Sequence, residues 1–433
     1  MPDPTDDRPG TAPAGAALPR RRLLTGALGW GGVAAAAAAD PTTAPAANPA
    51  APAPAAQAGV ASSAFSGYGQ PSAHEQAVQR RIGLNHRGID SNGAAWTPLE
   101  QLAGTVTPNG LHFVRNHHGT PDIDPATHRL ALHGLVQRPL QWDVASLQRY
   151  PQRARLLFIE CAGNSSAGWF EEPVPRPVGL VHGLVSCAEW TGVPLRMLLD
   201  EAGLQPGARW LVATGGDAGA FQISLPLDLA TDAEHGALLA LWQNGERLRP
   251  ENGYPLRLVV PGVRGVVNVK WLRSLELTAQ PAMARDETAH YTELRPDGRA
   301  TQFRWRMGVK SVITTPSHGQ RVPGPGVHEL RGLAWSGHGR ITRVEVSADG
   351  GAHWRDAQLQ GPALPHALTR FHAPWEWDGQ AALLQSRATD ERGQVQPTRA
   401  ALVAERGRQG SYHYHAIVTW EVDERGIVSH AYA

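Results

Sequence analysis

Short apolar runs separated by turn residues dominate the chain from residue 130 onward. Leu156-Leu157-Phe158-Ile159 is apolar without a break, and its length suits a buried strand rather than a helix. Trp210-Leu211-Val212-Ala213 and Arg257-Leu258-Val259-Val260 read the same way. Between them, Pro194-Leu195-Arg196-Met197-Leu198-Leu199-Asp200-Glu201-Ala202-Gly203 predicts a helix, opened by proline and closed by glycine. Strand-like and helix-like runs alternate in this way through residue 277, which predicts an α+β fold. Residues 65–111 are rich in Gly, Asn and Pro and read as irregular. After residue 303 the texture changes. Val344-Glu345-Val346-Ser347 alternates, Asp349-Gly350-Gly351 turns, and His353-Trp354-Arg355 returns, which is a hairpin signal. Further strand-like runs over 370–377, 383–389 and 416–422 show no helical period. An immunoglobulin-like β-sandwich is the natural reading of residues 310–422, with a boundary between 306 and 309.

The first 64 residues carry a different signal. Arg20-Arg21-Arg22-Leu23-Leu24-Thr25 precedes a small, apolar stretch that runs to Ala39. Tandem arginines before such a stretch fit a twin-arginine signal peptide over residues 1–39. The competing reading is a short basic membrane anchor. Gly26, Gly29, Gly31 and Gly32 weaken it, and the stretch is shorter than the roughly 20 apolar residues a span needs. Residues 40–64 are Ala/Pro-rich and read as a flexible linker. The expectation is an exported, periplasmic protein with no membrane span in its mature form.

Composition narrows the chemistry. The chain has 433 residues, with 40 basic against 39 acidic, a net charge of +1. That balance argues against a dedicated nucleic-acid binder. Forty-seven Gly and 35 Pro favour a turn-rich, β-rich architecture. Only two cysteines are present, Cys161 and Cys187. They exclude a disulfide scaffold, a Cys₄ zinc site and a Cys₄ iron–sulfur cluster. No Cys-x-x-Cys-His occurs, so no c-type haem is attached here. If the chain does redox chemistry, its electrons must leave through another protein.

Cys161 lies in Phe158-Ile159-Glu160-Cys161-Ala162-Gly163-Asn164-Ser165-Ser166, directly after the first strand-like run. Three readings compete: an inert buried cysteine, a disulfide with Cys187, and a soft metal ligand or nucleophile. Phe113-Val114-Arg115-Asn116-His117-His118 gathers cations after a glycine-containing loop, or forms a solvated loop. Arg257 and Lys270 sit at the ends of apolar runs. They could bind phosphate or form structural salt bridges. Gly163-Asn164-Ser165-Ser166-Ala167 approaches a nucleophile elbow, but Ala167 stands where glycine belongs. A serine hydrolase is therefore a weak rival, and a non-catalytic adhesion protein is suggested only by the sandwich.

Taken together and in order, these segments resemble the sulfite oxidase family of molybdenum–molybdopterin enzymes. The matching pieces are Phe-Val-Arg-Asn-His from Phe113, Cys-Ala-Gly-Asn from Cys161, Trp190-Thr191-Gly192-Val193-Pro194-Leu195, Val-Val-Pro-Gly from Val259 and Val-Lys-Trp-Leu from Val269. In the sandwich region, 346–351 and 387–397 match as well. The resemblance implies a molybdopterin-binding catalytic domain over 65–306 and an immunoglobulin-like dimerisation domain over 307–433. It implies Cys161 as the metal ligand, with Phe113, Arg115, Asn116, His117, Asp217, Asn252, Arg257, Asn268, Val269 and Lys270 around the pterin and its phosphate. Tyr291, Arg115, Arg406 and Trp190 would face the substrate.

Two departures stand out. Where sulfite oxidases continue Cys-Ala-Gly-Asn with two arginines, this chain has Ser165 and Ser166. Where animal members have a cofactor-binding histidine, it has Asn252. Lys310-Ser311-Val312-Ile313-Thr314, the 292–298 segment and the 412–420 segment are most similar to the sulfane dehydrogenase branch of the family. That branch implies a sulfur-carrier protein as substrate and a cytochrome c subunit as electron acceptor. It also implies a homodimer through the sandwich or a heterotetramer with the cytochrome. Oxidation of free sulfite is the alternative within the family. Replacing Arg20 and Arg21 by Lys should hold the protein in the cytoplasm, because the export receptor reads the pair rather than its charge. Fractionation of cells expressing both versions checks this, and an undiminished periplasmic yield contradicts it.

Overall fold

The computed structural model describes residues 67–75, 77–84, 92–232, 235–408, 410 and 412–433. The expected signal peptide and linker lie outside the described residues. Residues 70–433 form one compact unit. Among the described residues no helix is long and apolar enough to cross a membrane.

Two five-stranded sheets build the first half of that unit. In one, Arg153–Glu160 pairs antiparallel with Val185–Pro194, which pairs with Leu238–Gln243. Arg257–Val259 also joins Leu238–Gln243. In the other, Leu272–Thr278 lies between Arg129–Gly134, parallel to it, and Trp210–Gly215, antiparallel to it. Leu130, Leu132, Leu211, Leu239, Leu258 and Leu275 are buried in one core that both sheets share. Helix Leu195–Ala202 buries Leu195, Leu198, Leu199 and Ala202 on that core, with Pro194 at its start and Gly203 at φ +71 at its end. That agrees with the proline and glycine punctuation. The stretch read as irregular before residue 111 instead holds two strands, Arg81–Leu84 and Gly93–Trp96, completed into a sheet by Val114–Asn116. Gly93-Ala94-Ala95-Trp96 has too few bulky side chains to signal a strand, and it is made one by pairing with Arg81–Leu84 and Val114–Asn116.

Residues 310–431 form a four-stranded and a five-stranded sheet. Trp335, Phe371, Val344, Val346, Leu384, Ala388 and Trp420 fill the space between them. Thr369–Trp377 alternates as a sandwich strand should, with Phe371, Ala373, Trp375 and Trp377 buried. The expected hairpin pairs Val346 with Arg355, and Gly350 and Gly351 take φ of +72 and +93 at its turn. Two details differ from the sequence reading. The strand near the end begins at Thr419, three residues later than the apolar run. A helix, Arg399–Arg406, also interrupts the all-β region. Its only buried positions are Leu402 and Arg406, so it has almost no apolar stripe to detect, and the Thr398 side chain caps it by accepting from Ala401 N.

The two halves are joined through the Arg153–Glu160 strand. Leu157 and Ile159 face a core with Phe113 and Trp190, whereas Phe158 faces the sandwich core. By the same alternation Glu160 points toward the sandwich. There Lys310 Nζ donates to Glu160 Oε1 at 3.0 Å and Trp335 Nε1 to Oε2 at 2.7 Å. Asn164 Nδ2 donates to Oε1 at 2.9 Å. The Lys310 and Glu160 side chains are 0% and 2% exposed, so removing one partner strands a buried charge. Lys310→Met should destabilise the protein by about 3–5 kcal/mol. Glu160→Gln/Lys310→Met should lose distinctly less, since neither charge is then left alone. Chemical denaturation of both variants checks this, and equal losses contradict it.

Candidate active site

Cys161 is the first residue after the Arg153–Glu160 strand and takes the face opposite Glu160, against the Phe113 and Trp190 core. Its backbone N–H donates to Leu184 O, and its carbonyl accepts from Asn164 N, closing a tight turn. Asn164 Oδ1 accepts from Leu184 N at 3.0 Å and locks that turn from beneath. A Cβ placed on Gly163 would meet only the Cys161 sulfur, at 4.0 Å, so the space above the thiol is open. A Cβ on Gly265 would lie 2.7 Å from Glu160 O and 3.1 Å from Cys161 Cα. The 264–267 turn can therefore press against the cysteine only because glycine stands there.

Above the thiol lies a cavity with an empty volume of about 750 Å³, part of it open to solvent. Eleven of the residues expected at the site line it: Phe113, Arg115, Asn116, His117 and Cys161 on one side, and Asp217, Arg257, Asn268, Val269, Lys270 and Tyr291 on the other. Trp271, from the Val-Lys-Trp-Leu segment, lines it too, as do Glu251, Phe221 and Val266, which carry no local sequence signal. Arg115 NH1 donates to Gly93 O at 3.2 Å and Asn116 O at 2.6 Å, which fixes the guanidinium across two strands. Lys270 Nζ donates to Asn116 Oδ1 and to the carbonyls of Glu251 and Arg115. Asn268 Oδ1 accepts from Val260 N at 2.8 Å. Arg257 donates to the carbonyls of Asn252 and Asn268.

Three expected site residues lie outside this lining. Trp190 is fully buried, donates from Nε1 to Leu157 O, and supports Arg257, whose guanidinium carbon lies 5.1 Å from its ring centre. Asn252 is buried with its side-chain amide on Gln243 Oε1, and only its carbonyl serves the site, through Arg257. Arg406 is engaged by Glu293 and by the carbonyls of Tyr412 and His413. Ser166 is half-buried and does not line the cavity. Ser165 is 1% exposed and bonded to His182 Nδ1 and Lys310 Nζ, both at 2.6 Å. It offers no accessible nucleophile, which removes the hydrolase reading. Cys161 and Cys187 are both free, so the disulfide reading is corrected as well. Phe158 pairs with Cys187, placing Cys187 on the sandwich side of the sheet, away from the cavity.

Electrostatics define what the cavity can hold. No carboxylate comes within ion-pair distance of Arg115, Arg257 or Lys270 among the described residues. Burial pulls Arg257 and Lys270 below their ordinary values, and Arg257 adds to the effect on Lys270. His117 is brought down to about 4 by burial and by Arg115. Burial pushes the Cys161 thiol up, while a Gly163 backbone hydrogen bond, Arg115 and Lys270 act the other way. Asp217 and Glu251 offset part of the charge on Lys270 from a distance, but desolvated cations with no directly paired carboxylate favour an anion from outside the chain. The described residues hold no cluster of three or more His, Cys, Asp or Glu that could bind a metal alone. A metal above Cys161 must therefore bring most of its ligands with it. One soft thiolate, a polar wall and buried cations fit a phosphorylated cofactor carrying a soft transition metal.

Comparisons with known proteins agree. A family model for the oxidoreductase molybdopterin binding domain matches residues 117–285. A model for the Mo-co oxidoreductase dimerisation domain matches residues 301–420. Sulfite oxidase of Gallus gallus is 35% identical over 345 residues, covering 73% of this chain and 74% of that protein. NADH nitrate reductase of Solanum lycopersicum is 31% identical over 69% of this chain, which spans 37% of the plant protein. The crystal structure of the sulfane dehydrogenase SoxCD from Paracoccus pantotrophus matches with a TM-score of 0.80 and 42% identity, covering 86% of this chain and 96% of that one. The chain belongs to the sulfite oxidase family of molybdopterin oxidoreductases, and its cofactor is Mo-molybdopterin.

Cys161→Ser should leave a folded protein, since serine is close to cysteine in size and the side chain is only partly buried, but should abolish turnover. A hydroxyl is a poor soft ligand at neutral pH. Circular dichroism, metal analysis and activity on the purified variant check this. Activity within a few-fold of wild type contradicts the ligand role.

Proposed function

We propose that this oxidoreductase acts on the sulfane sulfur carried by a protein cysteine. On this reading it works in the periplasm after twin-arginine export and passes electrons to a cytochrome c subunit. It assembles as a homodimer through the sandwich or as a heterotetramer with that subunit. The observation that carries the reading is the likeness to a SoxCD chain at 42% identity over 96% of that chain's length. The engagement of Arg406 by Glu293 supports it, because it withholds that guanidinium from a small free dianion. Oxidation of free sulfite is the second reading, favoured by the 35% identity with sulfite oxidase.

The molybdenum–molybdopterin group supplies oxygen-atom transfer and storage of two electrons. Cys161 would hold the metal at the cavity floor. Arg257 and Lys270 would neutralise the phosphate, with Asn268 and Val269 setting the depth at which it sits. Arg115, held across two strands, would stabilise negative charge that develops on oxygen during transfer. Burial and the neighbouring Cys161 push the Tyr291 phenol well above its ordinary value, so it stays protonated. It would hold a proton toward the reacting oxygen and shield the site from water.

The test is kcat/KM of the holoenzyme on free sulfite and on carrier-bound sulfane sulfur. We expect the carrier-bound substrate to be used at least tenfold more efficiently, because docking of the carrier supplies the positioning that a charge clamp would otherwise provide. A preference for free sulfite would favour the second reading.

A further inference from the structure

Behind the Tyr291 wall, three arginines share one carboxylate. Arg264 NH2 lies 2.9 Å from Glu293 Oε1. Arg406 NH2 lies 2.5 Å and Arg304 Nε 3.8 Å from Glu293 Oε2. The Arg264, Arg406 and Glu293 side chains are only 3%, 4% and 9% exposed. The Nε atoms of Arg264, Arg304 and Arg406 have no hydrogen-bond partner. Three guanidinium groups against one carboxylate leave an excess of positive charge, with Arg264 and Arg406 nearly dry and Arg304 partly solvated at 29% exposure. Burial pulls Arg264 down to about 10, and the charge on Glu293 pulls the other way.

This cluster adjoins the active site. Val266 and Tyr291 line the Cys161 cavity and also a smaller cavity, of about 260 Å³, that Arg264 and Arg304 line. The Tyr412 ring lies 5.1 Å from the Tyr291 ring, and Arg406 NH2 donates to Tyr412 O at 2.7 Å. Glu293 belongs to the two-residue strand Glu293–Leu294, whose next residue is exposed, so the carboxylate reaches inward from a surface hairpin.

Carboxylates and sulfur oxyanions make the same demand: two or more oxygens that accept paired N–H donors from guanidinium. We propose that Glu293 is a specificity-determining residue. Its carboxylate occupies the anion position of the Arg264, Arg304 and Arg406 cluster, so that a free sulfur oxyanion is refused there. Sulfur must then arrive held by a carrier, a consequence that rests on the function proposed above. The pairs that Glu293 makes also tie together the 264–267 turn and the Arg399–Arg406 helix, so the test must separate occupancy from support.

Inorganic sulfate at constant ionic strength is the probe, read on the holoenzyme by equilibrium dialysis and thermal melting. Wild type should show no saturable binding at the cluster at millimolar sulfate. Glu293→Gln should bind sulfate at least tenfold more tightly and gain a sulfate-dependent rise in Tm that wild type lacks. Glu293→Gln/Arg304→Met removes one charge of each sign, so it guards against a misfolded single variant. It should bind sulfate less tightly than Glu293→Gln but more tightly than wild type. Glu293→Asp, which keeps the charge, should behave as wild type. Variants that bind sulfate no better than wild type, or a wild type that already binds as tightly, would overturn the proposal. Substrate preference is read separately: wild type preferring free sulfite sinks the functional reading, whereas the sulfate contrast judges Glu293 on its own.

Discussion

Glu160 and Lys310 pair where almost no water reaches, and the position of Cys161 depends on that pair. The desolvation cost of two buried charges is offset only when their geometry is good and their remaining atoms are bonded. Here Trp335 and Asn164 complete the carboxylate, and Ser165 accepts from the lysine. Asn164 belongs to the turn that Cys161 opens, and Lys310 and Trp335 belong to the sandwich. Phe158 packs into the sandwich core, and Phe158 N donates to His366 O at 2.8 Å. The sandwich is thus part of the scaffold that holds the thiol at the cavity floor.

Opposite that anchor, the cavity is built from the reverse principle. Glu160 and Lys310 match each other's charge, whereas Arg115, Arg257 and Lys270 around the cavity have no carboxylate within ion-pair distance among the described residues. Such an arrangement is costly in a dry protein and becomes favourable when an anion enters. Backbone carbonyls of Asn252, Asn268, Glu251 and Arg115 keep the cationic groups oriented meanwhile. Trp190 adds a face beneath Arg257, an indirect support rather than a contact with substrate. The Glu293 cluster differs again, since there the chain brings its own anion to its arginines.

Much of this architecture is legible in the sequence. Leu156 to Ile159, the helix between Pro194 and Gly203 and the hairpin around Gly350 each carry a local signal, because run length, punctuation and alternation are local properties. Cys161 after a strand, and cations at the ends of apolar runs, can be named as candidates on chemistry alone. The helix Arg399–Arg406 cannot, because its buried face consists of one leucine and one arginine. The strands Arg81–Leu84 and Gly93–Trp96 are equally silent, since their pairing rather than their composition makes them strands.

By itself the sequence determined the α+β and β-sandwich character, the candidate thiol, and the set of residue types that an anionic, metal-bearing cofactor requires. Those follow from short-range pattern and from side-chain chemistry, which do not depend on distant residues. Only the tertiary structure decided which candidates meet. It set Trp190 and Asn252 behind the cavity wall and turned Arg406 toward Glu293. It separated Cys187 from Cys161 by the two faces of one sheet and buried Ser165 under Lys310. Partner choice for a buried charge is settled by which charges the fold brings within a few ångströms. Glu160 and Lys310, like Glu293 and Arg406, lie more than a hundred residues apart in the chain, beyond the reach of any local pattern.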